Sequence, residues 1–110
     1  MIDQFINYLR NERNYSEQTI SYYETTNVEF QSYFTFLDST LSWATVDKDV
    51  VRMWMESLMD QGEAAGTVNK KLSALRTFYK YLMRKGVVTV NPMSTIKGPK
   101  QEKTAPVFVR

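Results

Sequence analysis

Lys70, Ser73, Thr77, Lys80 and Arg84 recur at spacings of three and four residues, so a helix through this stretch carries all five along one side. Asn69 and Arg76 fall on the flank of the same row. Lysine and arginine neutralise phosphates, while serine, threonine and asparagine can reach phosphate oxygens or base edges. No acid interrupts the row, whereas a helix that only needs to stay wet usually mixes Glu among its Lys to gain i,i+4 pairs. The pattern points to a polyanion such as duplex DNA. A merely solvated basic face would look similar, and the row alone leaves both open.

Charge is divided unevenly along the chain. Residues 1–63 hold four basic side chains (Arg10, Arg13, Lys48 and Arg52) against eleven acidic ones, a balance of −7. Residues 64–110 hold ten basic side chains against Glu102 alone, a balance of +9. This asymmetry hides behind a net charge of +2 and assigns any polyanionic partner to the second part.

Chemistry on such a partner is a separate matter. The chain has no histidine and no cysteine, which removes disulfides and thiolate metal sites. It has no Gly-rich phosphate loop, no HExxH pattern and no carboxylate cluster. Tyr15, Tyr22, Tyr33 and Tyr81 are candidates for exposure, but none has the arginine and histidine surroundings that would stabilise a phosphoryl transition state. No catalytic residue, metal ligand or cofactor is assigned, and no enzymatic activity is expected of this chain.

The elements that must carry the row are legible from periodicity. Ile2, Phe5, Ile6 and Leu9 mark one face of a first helix. Ser16 is a good N-cap for a second, running to about Leu37 with Ile20, Tyr23, Phe30, Phe34 and Leu37 on one face and the polar Asn27 among them. Asp38 to Thr45 reads as a loop anchored by Trp43. Asp47 caps a third helix with the stripe Val50, Val51, Trp54, Leu58 and Met55, closed by Gly62. Ala64 to Gly66 reads as a connection, and a fourth helix spans about Thr67 to Lys85, ending at Gly86. Its core stripe is Val68, Leu72, Leu75, Tyr79, Leu82 and Met83, with Lys71 near the apolar edge and its charge directed outward. A turn at Val87 to Pro92 and a short fifth helix around Met93 to Ile96 follow. The expected fold is all-α, a compact bundle of four main helices; with 43% apolar and 14% aromatic residues the chain can fill its core.

Several separated stretches resemble one family in the right order. TVNKKLSALRTFYKYLMRK (Thr67–Lys85) is similar to the last long helix of the core-binding, SAM-like domain of Xer-type tyrosine recombinases and phage integrases. NYSEQTISYY resembles the opening of that domain's second helix, with Ser16, Thr19, Ile20 and Tyr23 matching. Asn91–Pro92 and Gly98–Pro99–Lys100 resemble the exit from the domain, and the final APVFVR looks like the first residues of a catalytic domain. The resemblance implies a DNA core-binding domain over residues 1–96, with residues 97–110 as interdomain linker and the start of a catalytic domain. It implies the N-terminal half of a C-shaped clamp that closes on a recombination core site, four protomers assembling on two sites. Strand cleavage and joining by a tyrosine then belong to the other half of the clamp.

Carried onto this chain, the family's DNA-facing positions fall on Thr67, Asn69, Lys70, Lys71, Ser73, Arg76, Thr77 and Lys80; the row itself adds Arg84, and Ser16, Thr19 and Tyr22 are candidate phosphate contacts in the second helix. Ser16 could equally serve only as a cap. The stretch Glu63–Gly66 departs from the family, which often has Ser before the Thr, and this leaves Thr67 open between helix cap and DNA contact. Two other readings stand beside this one: a helix-turn-helix regulator, whose recognition helix would be shorter, and a helical protein–protein module with a basic docking face. The chain is expected to be cytoplasmic and monomeric in isolation, without a membrane partner, since no apolar run reaches the length of a span.

Overall fold

The computed structural model describes residues 1–99. Four helices follow one another: α1 (Ile2–Asn11), α2 (Glu17–Leu37), α3 (Lys48–Asp60) and α4 (Ala65–Arg84). The described residues contain no strand. α2 starts where Ser16 Oγ accepts the Thr19 N–H at 3.2 Å, and α3 where Asp47 Oδ1 accepts the N–H groups of Asp49 and Val50, both at 3.1 Å. Such caps satisfy donors that the first helical turn leaves open. Gly62 and Gly86 stop α3 and α4 at positive φ, 92° and 75°. The amides that follow them, Glu63 N and Val87 N, reach back to the carbonyls of Leu58 and Leu82, the six-to-one bond of a Schellman ending.

α4 is the central element and packs principally against α2, with α3 against both. A helix with neighbours on several sides needs more than a narrow apolar stripe. Accordingly Ala74, Phe78 and Tyr81 are buried beside Val68, Leu72, Leu75, Tyr79 and Leu82. Tyr81 is therefore a core residue and not an exposed one, and Met83, placed in the core by periodicity, lies at the surface. The interior is aromatic: Phe78 lies 4.8 Å from Phe5 and 4.7 Å from Trp43, and Phe30 lies 4.9 Å from Trp54, centroid to centroid in tilted or edge-on arrangements. Trp43 anchors the α2–α3 loop as expected, and its carbonyl accepts the buried Tyr79 hydroxyl at 2.9 Å.

Three local expectations change. α4 begins at Ala65, two residues before Thr67, so Ala65 and Gly66 belong to its first turn. Leu37, the last residue of α2, is 41% exposed and is not among the residues packed on the core. The fifth helix is a turn: Asn91 Oδ1 accepts Met93 N–H at 2.9 Å, and residues 92–95 make no regular helix. Val88, Met93 and Ile96 of this segment are nevertheless buried against the bundle. No helix among the described residues is long and apolar enough to cross a membrane, and no cluster of three potential metal ligands occurs among them.

Candidate nucleic-acid interface

The broad buried arc of α4 leaves one strip facing away from the bundle. Lys70, Ser73, Lys80 and Arg84 are exposed there and Thr77 is half-exposed, with its hydroxyl donating to the Ser73 carbonyl at 3.1 Å. Thr67 is exposed on the first turns. Because α4 starts at Ala65 with Ala64 at the cap position, Thr67 is not the cap of its helix. That resolves the first half of its ambiguity and leaves its side chain turned to solvent.

α2 borders one side of the strip. Lys70 Nζ sits 4.5 Å from the centroid of the Tyr22 ring, and Thr19, Tyr22, Lys70 and Ser73 line a shallow groove between the two helices. The ring attracts the ammonium through its negative face. The Tyr22 hydroxyl is buried without a hydrogen-bond partner among the described residues, and burial raises its pKa. Tyr22 thus offers its ring face to Lys70 in the groove and not its hydroxyl. Ser16 is engaged as the α2 cap, and its hydroxyl also donates to Thr19 Oγ1 at 3.0 Å, yet both side chains stay exposed at the positive end of the helix.

The other border is the chain's own exit segment, and it occupies two of the expected DNA-facing residues. Arg76 Nη2 donates to the Ile96 carbonyl at 3.1 Å. Asn69 Nδ2 donates to the Pro99 carbonyl at 2.8 Å and to the Ala65 carbonyl at 3.0 Å. Both side chains are half-buried. Lys71 is placed differently from the outward-directed charge that its stem suggested. Its ammonium sits between Glu29 and Glu63, at 3.0 and 3.1 Å, with only 13% of the side chain exposed. Burial alone would lower its pKa, but the two carboxylates outweigh it and raise the value on balance. Arg84 leans toward α1, donating to the Tyr8 hydroxyl at 3.0 Å.

The strip therefore keeps Thr67, Lys70, Ser73, Thr77, Lys80 and Arg84, joined by Ser16, Thr19 and Tyr22 from α2, while Asn69, Lys71 and Arg76 serve internal contacts. Periodicity ranked the outward residues well. It could not show the partners of the three flanking ones, since Glu29, Ile96 and Pro99 lie 20 to 42 residues away. Among the residues of the strip no acid is present. Chemically, the arrangement can hold phosphates along a helix axis and present short hydroxyls between them.

Residues 2–86 match the phage integrase N-terminal SAM-like domain. Over 96% of its length the chain is 35% identical to tyrosine recombinase XerC of Bacillus subtilis and 36% identical to that of Bacillus licheniformis, covering 34% of each. It is 28% identical to tyrosine recombinase XerD of Oceanobacillus iheyensis, again over 96% of this chain and 35% of that protein. The chain spans about a third of the length of these curated relatives. No solved structure matches it.

Proposed function

The chain belongs to the phage integrase N-terminal SAM-like domain family, and from that premise we propose that it binds duplex DNA as the N-terminal clamp half of a tyrosine site-specific recombinase. The observation that carries this is the acid-free strip of α4: Lys70, Ser73, Thr77 and Lys80 face away from the bundle in one continuous row. Lys70 and Lys80 neutralise phosphates, and Ser73 and Thr77 lie between them where a helix set in the major groove brings side chains to base edges. Thr67 and Arg84 extend the contact at either end. Ser16 and Thr19 meet the neighbouring backbone through their hydroxyls, and Tyr22 lines the groove between α2 and α4 and holds Lys70 over its ring. Asn69, Lys71 and Arg76 shape this face and do not touch DNA.

The relatives are tyrosine recombinases, and integration or recombination of DNA in the cytoplasm is the activity to which the domain contributes. Strand cleavage and joining reside in a separate catalytic domain, and further protomers join on the DNA. The isolated domain should bind duplexes weakly, on the order of 10⁻⁴–10⁻⁶ M at physiological salt, because half of the clamp is missing.

Fluorescence anisotropy across a salt series tests the assignment. Lys80→Ala should weaken binding to all sequences and flatten the log–log salt slope by about one unit. Lys48→Ala and Arg52→Ala on α3 are controls, since Arg52 already pairs with Asp49 and both lie among the acids of residues 1–63. Equal losses in the controls would place the DNA on another face.

A further inference from the structure

The described end of the chain does not simply leave the bundle. After the turn at residues 92–95 it runs back along α4, antiparallel to it, since Ile96 meets Arg76 and Pro99 meets Asn69. The spacing is matched. Arg76 and Asn69 stand seven residues apart on α4, about 10.5 Å at the helical rise. Three extended residues, from the Ile96 carbonyl to the Pro99 carbonyl, span about 10–11 Å. The exit segment thus spans the two donors, with Ile96 also buried at its start.

Gly98 sits between the two attachment points. A Cβ there would overlap the side-chain oxygen of Asn69 and lie 3.2 Å from Leu72 Cδ1. Only a residue without a side chain allows the backbone to approach this closely. Arg76 contributes a charge-assisted bond to a carbonyl that the turn leaves open, and Asn69 ties the same segment to the first turn of α4 through Ala65.

We propose that Asn69, Arg76 and Gly98 form a latch that fixes where, and in which direction, the chain leaves the helical domain. They are positioning residues. The latch delivers the chain to the N-terminal end of α4, along the edge of the basic strip. Whatever follows Pro99 therefore starts from a fixed bearing relative to that strip. This consequence for a clamp rests on the DNA-binding reading; the latch itself does not.

Limited trypsinolysis reads the latch directly, because the Lys97–Gly98 bond lies between its two attachment points. In Arg76→Ala, Asn69→Ala and Gly98→Ala the bond should be cut about tenfold faster or more, the change expected when a charge-assisted or buried hydrogen bond is lost and cleavage follows the open population. Gly98→Ala lies outside every helix and guards against a general loss of fold. Cleavage after Lys80, within α4, should keep its wild-type rate in all three. An unchanged rate at Lys97, or an equal rise at Lys80, would overturn the proposal. Arg76→Ala should also leave the DNA salt slope where it was. If it flattens the slope as Lys80→Ala does, Arg76 is a phosphate contact and the latch is wrong. Should DNA binding respond to no strip variant while the Lys97 rates change as described, the DNA reading fails and the latch stands.

Discussion

Two buried polar side chains show how unequally single residues contribute. Tyr79 is fully buried and its hydroxyl has a partner, the Trp43 carbonyl at 2.9 Å. Asn27 is fully buried on α2, and neither its amide nitrogen nor its oxygen has a partner among the described residues. Leaving a buried donor or acceptor unpaired costs about 1–3 kcal/mol, while removing the polar group altogether avoids that cost. Asn27→Leu, which keeps the branching and the number of side-chain heavy atoms without the polar groups, should therefore raise the unfolding free energy measured in urea, by about 1 kcal/mol or more. Tyr79→Phe should lower it by about 1–3 kcal/mol, because the Trp43 carbonyl then loses its donor inside the core. Destabilisation of both Asn27→Leu and the smaller Asn27→Val would mean that the amide has a role the surrounding packing does not reveal. Asn27 stands out in the sequence as the polar residue among the apolar ones on its face of α2. Lys71 was less legible: its charge fits any outward position, and only the approach of Glu29 from α2 and Glu63 from the α3–α4 connection takes it out of the basic row.

Among the elements, helix ends with a chemical signal were readable and the others were not. Ser16 and Asp47 cap α2 and α3, and Gly62 and Gly86 close α3 and α4, where residue types alone placed them. The start of α4 carries no such signal. Ala64 occupies the cap position and makes no side-chain hydrogen bond, so Ala-Ala-Gly reads as a connection although Ala65 and Gly66 are wound into the first turn of the helix. An unfilled cap is an opportunity for stabilisation. Ala64→Ser should add about 0.5–2 kcal/mol in chemical denaturation, since the serine oxygen can accept an amide of the first turn. No gain would mean that the first-turn amides already find other acceptors. The exit segment was the least legible part. The family resemblance implies a linker from Lys97 onward, in keeping with the Gly, Pro and Lys content of the stretch, and its residues beyond Pro99 lie outside the described ones. Composition reports local flexibility, but the carbonyls of Ile96 and Pro99 are held by side chains 20 and 30 residues earlier.

For the molecule as a whole, charge and titration can be separated. The basic strip faces outward, while the acids concentrate in residues 1–63, so the field that would steer DNA is local and not a matter of net charge. Stability, by contrast, should hardly respond to pH near neutrality, because the chain has no histidine. The alkaline limb is different. Burial raises the pKa of the Tyr79, Tyr22 and Tyr33 hydroxyls. For Lys71, burial works against its pair of carboxylates and the carboxylates prevail, so its pKa is raised as well. A raised folded-state pKa means that the folded chain holds a proton that the unfolded chain has released, so stability falls with rising pH. The contribution is complete below the unfolded values, about 10 for tyrosine and 10.4 for lysine, and is lost as pH climbs through the higher folded ones. The urea midpoint should therefore stay level from about pH 6 to 9 and drop steeply above about pH 10. Tyr79→Phe removes the most deeply buried of these hydroxyls. It should start from a lower plateau yet fall less steeply in the alkaline range, an effect that a simple loss of packing would not produce. Parallel alkaline limbs for the wild type and Tyr79→Phe would show that Tyr79 does not hold its proton through folding, and would sink the assignment.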